Sequence, residues 1–287
     1  MAAEAPPVRL RQITENDQEG VLKLLREGFP RRSASYWDSA WAKLVNLKKP
    51  EGLSQLGYVI DVGGELEGVI LVIAAQSLAG LGSKKRANLS SWYVRPKYRS
   101  FATMLLSRAC KDKDVTFLNV SAAEHTYSIC EALGFVRYSE GQIAAMPVLS
   151  KRHAGLHLKP FTGEATGLTE MERQVLRDHQ AFGCICLVGT ENGAAQPLIF
   201  VKRQIKGAIP AAQLIYCRSI DQFLRYAKPV GSYLARRGMF FVILDSSGPI
   251  DGLKGKYYAG KSPKYYKGPE PPRQGDLAYT EIALFGI

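Results

Sequence analysis

No uninterrupted apolar run in these 287 residues approaches the roughly 18 needed to cross a bilayer, so the sequence offers no membrane-spanning helix. Metal-ligating side chains are also sparse. There are four histidines and five cysteines, Cys110, Cys130, Cys184, Cys186 and Cys217, and their spacing makes no metal-binding repeat. Cys184 and Cys186 lie in an apolar run and read as packing on one strand face. The amino terminus, MAAEAPPVRLRQ, has no hydrophobic signal core, so export is not expected. An odd number of thiols then fits a reducing, cytoplasmic setting. Glycine is missing where it would be most informative. The stretch VRPKYRSFATMLLSRA, Val94 to Ala109, lies at a strand-to-helix junction, where phosphate-cradling loops are usually glycine-rich, and it contains none. Acidic residues are the scarcer charge, 26 against 38 basic, for a net charge of +12. The excess leans towards the carboxy-terminal half, where 19 basic residues face 11 acidic ones after position 150. Such an excess fits nucleic acid, a phosphorylated cofactor, an acidic acceptor or plain solubility.

The length and the 46% hydrophobic content imply two globular domains, divided near residue 150 into 1–150 and 151–287. VRLRQIT alternates and reads as a strand. Thr14 with Asp17 three residues on, ahead of an apolar run, is a capping-box signature for a helix through Phe29. A second helix, expected to be interrupted, follows in SYWDSAWAKLV. Tyr58–Ala75 holds two β-branched runs about Gly63-Gly64, a hairpin signal. After the basic loop GSKKRA come the strand NLSSWYV, a helix from about Phe101 to Cys110, the strand VTFLNVSA, a helix in EHTYSICEALGF and a strand in GQIAAMPVL.

The second half repeats this order loosely: a strand in LHLKPF, a helix opened by Thr169 and Glu172, two strands about an Asn/Gly turn, the strand AAQLIYCRS, a helix expected to break near Pro229 and Gly231, and the strand MFFVILDS. The remaining segment, GLKGKYYAGKSPKYYKGPEPPRQG, reads as a tail of lower order. Its two KYY triplets suit stacking on bases or sugars, or a solvated loop. DLAYTEIALFGI reads as a closing strand. The order of elements gives an α/β (α+β) architecture, with a mixed sheet flanked by helices in two tandem, similar domains.

At Val94–Ala109 and Glu124–Phe135 the sequence resembles the GNAT superfamily of acyl-CoA-dependent N-acyltransferases. In that family a strand bearing V-x-P-x-[YF]-R-G-x-G enters a helix. Here Val94, Pro96, Tyr98 and Arg99 match, Ser100 and Ala102 stand in place of glycine, and Met104 occupies the last Gly/Ala position. Ala132-Leu133-Gly134-Phe135 matches the end of the family's Y-x-x-L-G-F helix. The resemblance covers roughly residues 8–146; beyond 150 it rests on element order, and the second copy is degenerate.

The resemblance implies a mostly antiparallel sheet and acetyl-CoA or another acyl-CoA as co-substrate, with no metal. It also implies a small-molecule or peptide amine as acceptor. The implied cofactor-binding residues are Tyr93, Val94, Arg99, Ser100, Phe101, Ala102, Thr103 and Met104. A backbone N–H near Tyr93–Val94 would polarise the thioester carbonyl, and amides from about Ser100 to Met104 would face the pyrophosphate. The family's general acid falls at Cys130, which also reads as a small buried helix residue; Tyr127, one turn earlier, is the alternative. No general base stands out. Arg218-Ser219-Ile220-Asp221 lacks the spacing of a second phosphate site, so the second half is expected to complete the acceptor cleft or to mediate association. A catalytically inactive module that binds acyl-CoA or a protein is the competing reading. Nucleic acid is not an expected partner, since no helix-turn-helix or RNA-binding aromatic motif is present.

Overall fold

The computed structural model describes residues 6–48, 50–54, 56–76 and 85–286, and it divides into two compact units. The first comprises residues up to 119 with 123–135 and 266–270; the second comprises 120–122, 136–265 and 271–287. Residues 82–84 of the basic loop GSKKRA lie outside the described residues, and Lys85, Arg86 and Ala87 open a strand instead. Among the described residues no helix is long and apolar enough to cross a membrane.

In the first unit the chain forms β1 (Val8–Gln12), α1 (Gln18–Gly28), α2 (Ala34–Asn46), β2 (Gly57–Val62), β3 (Glu65–Gln76), β4 (Lys85–Val94), α3 (Ala102–Ala109), β5 (Val115–Asn119) and α4 (Tyr127–Ala132). The strands lie in the order β1-β2-β3-β4-β5, antiparallel except for the parallel pair β4–β5. The β2–β3 hairpin turns on Gly63 and Gly64, both at positive φ, as a two-residue turn requires. The Asp17 carboxylate accepts from both the Thr14 amide and its hydroxyl at 2.8 Å, and the chain enters α1 through a short 3-10 turn, Glu15–Asp17. Arg11 ties this start to the hairpin through Asp17 at 2.7 Å and Asp61 at 2.8 Å. Val21, Leu22, Leu24 and Leu25 of α1 are buried, each worth about 1.5–3 kcal/mol of transfer free energy. The expected interruption of α2 does not occur. Ser33 caps the helix by accepting from the Tyr36 amide at 3.1 Å, and Trp37, Ala40, Trp41 and Leu44 make one continuous buried stripe.

The second unit contains β6 (Val136–Ala145), β7 (His157–Pro160), α5 (Glu170–Ala181), β8 (Ile185–Glu191), β9 (Ala194–Ile205), β10 (Ile209–Tyr216), α6 (Ile220–Ala235), β11 (Phe241–Ser246), β12 (Gly255–Lys267, whose last two residues belong to the first unit) and α7 (Glu281–Phe285). Its strand order is β12-β6-β11-β10-β9-β8-β7, with β10–β11 parallel. A capping box opens α5, with the Thr169 amide donating to Glu172 at 2.9 Å and the Glu172 amide to the Thr169 hydroxyl at 3.2 Å.

Three sequence expectations fail here. Helix α6 runs unbroken through Pro229 and Gly231. Its Phe223, Tyr226, Ala227, Val230 and Leu234 are all buried in one cluster, and that packing outweighs the missing proline amide. Gly231 serves close approach rather than a break: a Cβ there would lie 2.1 Å from the Val148 amide nitrogen. The tail expected to be of lower order, residues 252–275, contains the 13-residue strand β12, in which Lys264 and Tyr265 are buried; only the residues flanking that strand are irregular. The Lys264 ammonium donates to the Val120 carbonyl at 2.6 Å and lies 3.7 Å from Asp245, while the Tyr265 hydroxyl accepts from Arg137 at 2.9 Å. The second KYY triplet is therefore built into the unit rather than solvated. The closing strand is instead the short helix α7. A continuous apolar run cannot by itself separate strand from helix, and here Thr280 precedes the turn and Gly286 ends it in the left-handed region.

Candidate functional site: a forked pair of strands

Strands β4 and β5 pair in parallel only from Lys85↔Val115 to Asn88↔Leu118. Beyond Asn88, β4 continues for six residues without β5 beside it. Along this stretch its register with β3 slips, since Val69 faces Tyr93 while Leu71 faces Ser90. The extra residue makes a bulge, and Ser91 adopts φ 52°, a left-handed conformation that costs a non-glycine residue free energy. After the bulge the Arg95 amide donates to the Glu67 backbone carbonyl of β3 at 2.9 Å. Successive amides alternate sides of a strand, so the Val94 N–H faces away from β3, towards the side β5 has left.

The junction to α3 is tighter than the resemblance implies. Pro96–Phe101 form a six-residue 3-10 helix that runs straight into α3. The Tyr98 amide bonds the Arg95 carbonyl at 2.9 Å, and the Ala102 amide bonds the Arg99 carbonyl. Amides that a glycine loop would leave open to an anion are thus partly engaged within the chain. Arg99, Ser100, Thr103 and Met104 are exposed, while Phe101 and Ala102 are half-buried. Met104 is 53% exposed, so its side chain is turned to solvent rather than packed in the core.

Tyr127 opens α4 and is half-buried. Cys130 is completely buried, and its sulfur accepts from the Asn119 amide group at 3.4 Å. Burial pushes its thiol pKa up, so it stays protonated, but it has no exposed surface to offer a ligand. A cluster the sequence did not disclose surrounds the end of β4. The Tyr93 hydroxyl donates to Glu27 at 2.9 Å, and Arg95 bonds Glu27 at 3.0 Å and Glu67 at 3.2 Å. The Arg95 hydrogen bond holds the Glu27 carboxyl below its ordinary range, whereas burial and then the Glu27 contact raise the Tyr93 phenol. Glu27 is therefore a weaker base than an ordinary carboxylate. Its only sequence signal was a place in the last turn of α1; Arg95 is 68 residues away.

No family model matches the sequence, and no curated protein matches it. Solved structures do. A GCN5-related N-acetyltransferase from Anabaena variabilis aligns over 91% of this chain and 72% of its own, with TM-score 0.59 at 10% identity. One from Kribbella flavida aligns over 91% and 71%, with TM-score 0.58 at 14% identity. A putative acetyltransferase from Pyrococcus horikoshii aligns over 95% and 93%, with TM-score 0.55 at 14% identity. The chain has the GCN5-related N-acetyltransferase (GNAT) fold.

The fork of the first unit recurs in the second, in altered form. Strands β10 and β11 pair in parallel only from Ala211↔Phe241 to Gln213↔Ile243, and the register of β10 with β9 slips between Leu214 and Tyr216. Helix α6 follows β10 as α3 follows β4. Here the freed edge is occupied by the chain itself. The Leu277 amide donates to the Ile215 carbonyl at 2.7 Å, the Cys217 amide donates to the Gly275 carbonyl at 2.9 Å, and Tyr216 and Asp276 form an antiparallel bridge. Arg273 clamps the segment by donating to the carbonyls of Cys217, at 2.6 Å, and Arg218. The space left in this fork is about 10 Å³, room for about one water. The start of α6 is closed as well, since the Ser219 side chain accepts from the Gln222 amide at 3.2 Å.

Proposed function

We propose that this protein transfers an acyl group from an acyl-CoA thioester to an amine, with one donor site per chain, in the fork between β4 and β5. The observation that carries this reading is the divergence of these strands after Asn88, with a bulge at Ser91 that turns the Val94 amide towards the gap. An extended pantetheine arm has amides that can pair with such an edge. The thioester carbonyl would then lie at the Val94 N–H, a donor placed for the oxyanion that forms when an amine attacks. As the tetrahedral intermediate collapses, the carbon–sulfur bond breaks and the departing thiolate takes a proton. Tyr127 is the proposed donor of that proton. Cys130, at the position the resemblance assigns to the acid, is buried and supports α4 from within.

Phosphate binding in this reading relies less on open amides than in a glycine loop. The Arg99 guanidinium, the hydroxyls of Ser100 and Thr103 and the positive end of α3 supply it, with Phe101, Ala102 and Met104 shaping the surface. The acceptor arrives as an ammonium group and loses its proton to solvent water before attack; the Glu27 and Glu67 side chains, both bound to Arg95, favour a cationic acceptor near the end of β4.

Isothermal titration with acetyl-CoA and longer acyl-CoAs tests the donor site: one molecule bound per chain is expected, and no binding at millimolar ligand sinks the proposal. The partly engaged amides at Tyr98 and Ala102 favour a second reading, binding without turnover. Free-thiol release across a panel of amines separates the two, because a single active acceptor defeats the second.

A further inference from the structure

A cavity of about 280 Å³ lies in the first unit beneath the carboxy-terminal end of α3. Its floor is made by one side chain from each of four adjacent strands, Tyr58, Val72, Ala87 and Phe117, all buried to 8% exposure or less. The floor is apolar and aromatic. The rim is cationic. Arg108 and Lys111 line it, and the Arg108 guanidinium stands 5.5 Å from the Tyr58 ring centroid. Among the described residues neither cation has a carboxylate partner or a hydrogen bond. The Lys85 ammonium lies beside the lining residue Gly52, 3.3 Å from where a Cβ there would be, and donates to the Glu51 carbonyl at 2.6 Å. The one lining carboxylate, Asp112, accepts from the Asp114 amide at 3.0 Å.

We propose that this cavity binds a small aromatic carboxylate. An apolar cavity of about 150 Å³ holds one benzene ring, so 280 Å³ accommodates a ring with a short acid-bearing arm. The ring lies on Val72, Ala87 and Phe117, and the carboxylate reaches the guanidinium of Arg108 and the ammonium of Lys111. Guanidinium and carboxylate pair through parallel N–H···O bonds, a geometry a neutral hydroxyl cannot reproduce. Basic residues near a helix end also complement its dipole, but that role needs no concave apolar floor. The site is separate from the proposed donor site. Helix α3 has eight residues, so its two ends are about 12 Å apart.

Titration of the full chain with phenylacetate, and with neutral 2-phenylethanol as its counterpart, decides the matter. Phenylacetate is expected to bind saturably and at least about tenfold more tightly than the alcohol. Arg108→Gln with Lys111→Gln should remove that preference without changing affinity for the alcohol, and Ala87→Leu should fill the floor and abolish both. No saturable phenylacetate binding up to about 10 mM overturns the proposal. So does binding that the double glutamine variant, whose changes lie on the rim, leaves unaltered. Acetyl-CoA titration of the same variants keeps this result distinct from the donor-site reading.

Discussion

Leu277 donates its backbone N–H to the Ile215 carbonyl at 2.7 Å, closing the fork of the second unit with a piece of the same chain. Gly275, two residues earlier, makes that course possible. It sits at φ +77°, and a Cβ there would lie 2.6 Å from the Cys217 sulfur. Gly275→Val is therefore expected to cost about 2–4 kcal/mol of stability, measured by urea unfolding. Acyl-CoA stoichiometry should stay at one per chain in the wild type, and a measured value of two would contradict the closed fork.

Asp17→Asn tests the junction of β1, the hairpin and α1. The Arg11 hydrogen bond, with help from Thr14, holds the Asp17 carboxyl at about 2. A folded-state value below the unfolded one means the stabilisation is complete above about pH 4 and is lost as pH falls towards 2. The substitution should cost about 1–3 kcal/mol at pH 7. The gap between wild type and variant should narrow through that acid window, as followed by thermal unfolding; a pH-independent gap would show that Arg11 is not the cause.

If Tyr127 supplies the proton, Tyr127→Phe lowers kcat by about 10²–10⁴-fold with little change in KM for the acyl-CoA. Cys130→Ala should leave the pH–rate profile unmoved and cost about 1–2 kcal/mol of stability through lost packing. Steady-state kinetics paired with denaturation distinguish them, and the opposite pattern would return the acid role to Cys130.

Arg99→Gln is expected to weaken acyl-CoA binding about tenfold and to flatten its salt dependence, because an exposed cation contributes chiefly through charge. Titration at two ionic strengths measures both effects. An unchanged affinity would place the phosphates elsewhere.

Features with local causes were legible in the sequence. The Gly63-Gly64 hairpin and the Thr14–Asp17 and Thr169–Glu172 helix starts each depend on residues within a few positions of one another. Features with distant causes were not. Lys264 is ordered by the Val120 carbonyl 144 residues away, and Gly231 by the backbone at Val148. Within the candidate site, Val94, Pro96, Tyr98 and Arg99 announced the strand-to-helix junction, but the bulge did not announce itself. Ser91 at positive φ follows from how β3 and β4 register, and a serine carries no signal of that. The 3-10 course of Pro96–Phe101 also escaped notice, because the residues that replace glycine permit helix as readily as loop.

The segment from Arg273 to Leu277 has a quantitative consequence for any diffusing rival. An occupant tethered on its own chain by a short linker presents itself at an effective concentration on the order of millimolar. A free thioester present at micromolar levels competes at a disadvantage of about a thousandfold before any contact is compared. Converting the second fork into a working site would therefore require removing its resident segment, not merely improving the side chains around it.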